Sequence, residues 1–321
     1  MNRRLIRDGM GVLVLAFVLS APAGLQAGQS RLEELIIARS KDINKQCPIM
    51  VDEATRLDAT VAAGDVLIYK YTLVSTAVAD MDTSYFHSEV ERRTTESYCS
   101  MDNMRQMLND GVKCRYLYFD RNGTFVTSFL ISSQTCVDHD LLTKSNWKRT
   151  TIAGVGTIDV PPSLEVQEGQ LREMSGSSYG LVLQQKGLNA QTQSSLGTYV
   201  RVMVESFPAD SPGDFRRAGT KIKYTSAELE ELSTALRMQA EMPDITILQW
   251  DKPRVVEVNG VTAVCVEYSR AYKSNTPAKV AIYMFEDYDR IHKLTMSYRV
   301  SEREMWAAAL QGVLQSFRIS H

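Results

Sequence analysis

Asn259-Gly260 stands between two β-branched runs, Val255 to Val258 and Val261 to Val266. Both residues tolerate the positive φ of a two-residue hairpin turn, so the pair sets chain reversal and register at one point. The chain beyond it continues the same architecture. Val280, Ile282 and Met284 alternate with Ala281, Tyr283 and Phe285, the polar run Glu286 to Arg290 turns the chain, and Leu294, Met296 and Tyr298 share a face on the return. Ser301 and Glu304 have the spacing of a capping box, and Trp306, Leu310, Val313, Leu314 and Phe317 recur at helical intervals. The stretch from Arg254 to Phe317 therefore reads as two hairpins with a helix laid across their sheet.

The first residues carry an address rather than a fold. Arg3, Arg4 and Arg7 precede an apolar core from Met10 to Leu19, and small residues follow at Ala21, Ala23 and Ala27, which is the order of a secretory signal. The core is shorter than the roughly 20 residues of a membrane-spanning helix. Residues 1–27 are accordingly assigned as a signal peptide cleaved after Ala27, with Ala23 the alternative. The mature protein is expected in the periplasm or secreted, with no stable membrane insertion. Cleavage removes three of 36 basic and one of 38 acidic side chains and takes the formal charge from −2 to −4. That balance offers nucleic acid no attraction. The remaining length suits two domains.

Four of the five cysteines, Cys47, Cys99, Cys114 and Cys136, lie in the first half of the chain. In an oxidising compartment disulfides are the default, and four cysteines allow three connectivities among which spacing does not choose. No Cys-x-x-Cys pair is present and the histidines are scattered, so no metal site is expected.

The first domain is placed over residues 30–138. Leu32, Leu35, Ile36 and Ile43 form a helical stripe that ends before Pro48, and Leu67, Tyr69, Tyr71 and Leu73 give a strand one clearly apolar face. Residues 83–109 are helical in composition, with a break at Cys99-Ser100 where Ser100 is placed as a cap. Val112, Cys114, Tyr116 and Tyr118 point one way along a strand, Asp120-Arg121-Asn122-Gly123 turns, and Phe125 to Ile131 returns. The runs Ile43-Asn44-Lys45-Gln46, Pro48-Ile49-Met50-Val51-Asp52, Tyr69-Lys70-Tyr71-Thr72-Leu73 and Gly111-Val112 leading to Arg115-Tyr116 resemble a small exported α+β domain of uncharacterised Gram-negative bacterial proteins. That resemblance implies a bridge between Cys99 and Cys136. Cys47 and Cys114 stand where the family has apolar residues, and their joint departure implies a second bridge between them.

From His139 to Thr157 the pattern loses its period, and residues 139–156 are read as a linker in which Lys144, Lys148 and Arg149 around Trp147 are solvated. The second domain is placed over 157–321. Ile158 to Val160 is a strand stopped by Pro161-Pro162, Gln184 to Ser195 a mobile loop, Tyr199 to Phe207 a strand, and Asp210 to Asp214 a turn. Thr225 and Glu228 make a capping box ahead of Leu229, Leu232 and Leu236. The Asn259-Gly260 hairpin, the strands through Tyr283 to Phe285 and Leu294 to Tyr298, and the helix running into Ser316-Phe317-Arg318-Ile319 together resemble the PsbP-like fold, including exported proteins of the DcrB type. The fold class is thus α+β in two domains: a small helix-strand-strand-helix-strand-strand antiparallel domain, then a curved antiparallel sheet covered by helices. The resemblance implies a binding or assembly module and names no partner.

No P-loop, dinucleotide fingerprint or His-Glu-x-x-His motif occurs. His139 lies between Asp138 and Asp140 but reads as a solvated turn, His292 as a surface pair, and Cys265 as an inert buried thiol. The 14 tyrosines are read mainly as core, with a rim of exposed tyrosine as a candidate protein-binding surface. No catalytic residue and no cofactor is assigned. The expected function is that of an exported, non-catalytic binding or assembly protein acting through contacts with an envelope protein. Two alternatives stand beside it: an envelope hydrolase using His139 between the domains, and a carrier of a small apolar ligand under the 184–195 loop.

Overall fold

The computed structural model describes residues 25–167, 179–186, 199–209, 222–272 and 276–320. These form two compact units, one over residues 25–142 and the other over 143–185 and the described residues from 199 onward. Most of the expected signal peptide, loop residues 187–195 and the turn at 210–214 lie outside the described residues. Among the described residues no helix is long and apolar enough to cross a membrane.

In the first unit, helix α1 (Leu25–Asn44) leads into strands β1 (Ile49–Met50), β2 (Thr55–Ala63) and β3 (Val66–Leu73). Helices α2 (Thr83–Ser100) and α3 (Asp102–Asn109) cross to β4 (Lys113–Phe119), and β5 (Phe125–Ile131) returns to α4 (Ser133–Leu142). The strands lie in chain order, β1 to β5. One pair, β3 with β4, is parallel, because a helical crossover delivers the next strand in the same direction. Asp82 caps α2 by accepting the N–H groups of Ser84 and Tyr85. Ser100 is no cap. It closes α2, and its hydroxyl donates back to the Ser97 carbonyl at 3.2 Å.

Period-2 alternation gives this sheet one closed face. Leu67, Leu73, Cys114, Tyr116, Tyr118, Phe129 and Ile131 meet Leu32 and Ile36 of α1, Tyr98 and Cys99 of α2, Leu108 of α3 and Cys136 of α4. Each fully buried side chain of this kind stabilises the fold by about 1.5 to 3 kcal/mol. Tyr69 stacks on Tyr116 and Tyr71 on Tyr118, both at 5.1 Å between centroids, and Phe129 continues the stack against Tyr116. The strand tyrosines therefore fill the interior, and the expected tyrosine rim does not form from them. Burial pushes the Tyr116 and Tyr98 hydroxyls far above their ordinary pKa, and Tyr116 donates to Tyr98 at 2.6 Å.

The second unit starts inside the expected linker: β6 (Lys148–Ile152) pairs with β7 (Gly156–Val160), and β7 pairs with the last strand, β16 (Arg318–Ile319). Gly156 is required there, since a Cβ on it would stand 1.9 Å from the Arg318 carbonyl oxygen. The main sheet is antiparallel throughout. It comprises β8 (Leu164–Val166), β9 (Tyr179–Gln185), β10 (Val200–Pro208), β11 (Ile245–Trp250), β12 (Arg254–Val258), β13 (Val261–Tyr272), β14 (Ala278–Asp287) and β15 (Arg290–Arg299). Asn259 and Gly260 carry φ of 53° and 81° between the paired Val258 and Val261, as the hairpin reading requires. The second hairpin turns more tightly than its polar run suggests, with only Tyr288 and Asp289 between the strands.

Helix α5 (Ser226–Ala240) begins with the expected Thr225 and Glu228 capping box and packs Leu236 and Ala240 onto Val264, Val266, Val280 and Ile282. Helix α6 (Arg303–Ser316) packs on β7 and β15, burying Trp306, Leu310, Val313 and Leu314. Its expected capping box is absent. A 3-10 turn over 300–302 intervenes, and the Glu302 side chain reaches instead for the Tyr199 N–H at 3.0 Å.

Candidate functional site

The cysteines divide unevenly. Cys99 on α2 and Cys136 on α4 are bridged with Cα atoms 5.2 Å apart. The second expected bridge is absent, and Cys47 and Cys114 are free thiols. A bridge needs Cα atoms within about 7 Å. Cys47 leads into β1 at one border of the sheet, whereas Cys114 stands on β4, three strand spacings of about 4.8 Å across. Cys114 is wholly buried, and burial pushes its thiol up to about 11.

Beside the bridge, Arg105 of α3 makes a fork-to-fork pair with Asp140 of α4 at 2.8 and 3.0 Å and donates twice to the Cys99 carbonyl. The segment Asp138-His139-Asp140 is thus helical, and no solvated turn forms there. The His139 Nδ1 lies 3.9 Å from Asp140 Oδ1. Both oxygens of that carboxylate accept from Arg105.

One grouping does resemble hydrolytic machinery. Ser206 Oγ lies 2.9 Å from His292 Nδ1, and Asp287 Oδ2 lies 3.5 Å from Nε2. The same hydroxyl accepts Arg290 Nε–H at 2.8 Å, and Ser206 and His292 are both 1% exposed. A serine so occupied and enclosed ties β10 to the β14–β15 hairpin. His292, expected at the surface, is buried, and burial drives its imidazole pKa down. Cys265 is wholly buried as expected, with its thiol pushed up by burial.

The Glu302 carboxyl of the second unit is strongly perturbed. Burial raises it from an ordinary 4.5 to about 7, against the downward pull of the Tyr199 N–H and of Arg299. The folded state therefore holds this proton more tightly than the unfolded chain. The associated stability is complete below 4.5 and is lost as pH rises through 7. Glu302→Gln is expected to be about 1 kcal/mol more stable than the parent at pH 8, after discounting for solvent screening, and indistinguishable from it at pH 4. Urea titrations at the two pH values check this, and parallel stability curves would contradict it.

The outer face of the first unit is built differently from its core. Alternation and register lay three rows across it: Met50, Arg56, Thr72, Phe119 and Phe125; then Lys70, Leu117 and Ser128; then Val61, Ile68, Arg115 and Leu130. None of these side chains joins the helix-covered core. Val61 is 54%, Phe125 53% and Leu130 36% exposed. Phe119 and Phe125 meet edge to face at 6.0 Å, with Lys70 Nζ 5.0 Å above the Phe119 ring. A solvent-facing sheet surface normally carries polar residues, and an apolar one marks a contact site. The signal available in the sequence was β4, where Arg115, Leu117 and Phe119 alternate with the tyrosines and are themselves mostly apolar.

Residues 31–126 match a family described as Domain of unknown function (DUF8479). The chain is 27% identical over 84 residues to Protein K of Escherichia coli, a stretch covering 25% of this chain and 45% of that protein. It thus spans less than half the length of that relative. Among solved structures, the type 2 secretion system pilotin EpsS of Vibrio vulnificus is 14% identical, with 34% of this chain and 96% of that one covered at a TM-score of 0.31. The cyanobacterial PsbP protein CyanoP of Synechocystis is 10% identical, with 55% and 93% covered at a TM-score of 0.37.

Proposed function

We propose that this chain is an exported, periplasmic protein that works without catalysis, holding another envelope protein on the outer sheet face of its first unit. The observation that carries the reading is that face, where Val61, Leu117, Phe119, Phe125 and Leu130 lie outside the core while the helices cover the other side. Export is supported by the arginine, apolar core and small-residue order of residues 1–27 and by the Cys99–Cys136 bridge, since such bonds persist in oxidising compartments. The second unit, with its antiparallel sheet and the α6 helix, fits a PsbP-like module of the DcrB type.

Substituting Phe125→Asp together with Leu130→Asp tests the reading. Neither side chain belongs to the core, so folding stability should change by less than about 1 kcal/mol. Partner capture in intact cells, read with a photo-crosslinker at Ser128, should fall at least about 30-fold, as loss of a buried anchor pair requires. Undiminished capture would remove this face from the function.

A further inference from the structure

We infer that the outer face of the first unit selects an acidic amphipathic helix of its partner protein, an inference that rests on the docking role proposed above. The argument is one of charge and spacing. Of the four cations on this face, Arg56 is neutralised by Asp58 at 2.6 Å and Lys113 by Asp65 at 2.8 Å. Lys70 and Arg115 are exposed and have no carboxylate in ion-pair contact among the described residues. They sit on adjacent strands, Lys70 opposite Leu117 and Arg115 opposite Ile68. Two residues along and one strand across separates them by roughly 8 Å, from the rise per residue and the strand spacing. Carboxylates one helical turn apart, about 6 Å along a helix surface, can reach both cations.

The apolar residues frame this pair. Phe119 and Phe125 lie one row beyond Lys70, Val61, Ile68 and Leu130 share the row of Arg115, and Leu117 stands opposite Lys70 and two residues along the strand from Arg115. A sheet with helices on one face completes its layering by receiving a helix on the other. From β2 to β5 is three spacings, about 14 Å, which ten helical residues span. An extended segment would instead seek a strand edge, where backbone groups are free, and would leave these side chains uncovered.

The test uses the full chain in its native host, with a photo-crosslinking phenylalanine analogue at Leu117 and sequencing of the captured peptide. The expected adduct is a peptide of another protein whose carboxylates recur at a helical turn. Its yield should fall at least about tenfold with Lys70→Glu plus Arg115→Glu, because like charges are then opposed, and should persist with Lys70→Arg plus Arg115→Lys. Capture of a second copy of this chain, capture of an anionic phospholipid, or a yield within twofold after charge reversal would overturn the inference. If the adduct survives charge reversal but is lost with Phe125→Asp plus Leu130→Asp, docking stands and the acidic partner falls. If it survives both, or never forms, both readings fall.

Discussion

Arg105→Ala is expected to lower the unfolding free energy of the first unit by about 3 to 5 kcal/mol, the cost of breaking a buried ion pair from one side. Its guanidinium and the Asp140 carboxylate are 4% and 3% exposed. The substitution takes the guanidinium away from that buried carboxylate and strips two donors from the Cys99 carbonyl. Against a total of roughly 5 to 15 kcal/mol, such a loss brings the unit close to unfolding. Arg105→Lys should recover only a small part, because an ammonium cannot serve two carboxylate oxygens and a carbonyl with one rigid fork. Urea unfolding followed by tyrosine fluorescence measures both variants. A loss below 1 kcal/mol for the alanine variant would mean that the pair is solvated in the folded protein.

Cys99→Ser with Cys136→Ser should cost about 4 kcal/mol by the chain-entropy estimate for a separation of 37 residues. Thiol titration of the denatured, unreduced chain gives an independent check. Cys47, Cys114 and Cys265 are free, so three thiols should react, whereas a second bridge would leave one. The two devices are coupled, since Arg105 grips the carbonyl of a bridged cysteine. A double-mutant cycle between Arg105→Ala and the bridge removal should therefore depart from additivity by at least about 0.5 kcal/mol.

The chain declares its turns and caps where one residue's conformational preference decides the outcome. Asn259-Gly260 and the Thr225 box behave as their chemistry demands. The Ser301 box fails although its spacing is right, because a 3-10 turn over 300–302 delays the helix to Arg303 and makes Glu302, not Ser301, the N-cap residue, and no local pattern registers that shift. The same limit hides Asp140. Its partner Arg105 lies 35 residues upstream, so the segment reads as a polar turn until the two helices meet. The face of β4 bearing Leu117 and Phe119 is legible as alternation. That no helix among the described residues of the first unit covers it is not, since exposure depends on where every helix goes. Spacing left the cysteine pairing open, and sheet order keeps Cys47 and Cys114 apart.

The parallel alignment of β3 with β4 also fixes where the covalent link falls. Strands β1 to β3 follow one another through short connections, but β4 reaches β3 only after the whole α2–α3 crossover, and Cys136 follows β5. The Cys99–Cys136 bond therefore encircles α3, β4 and β5, and fastens the end of α2 to α4.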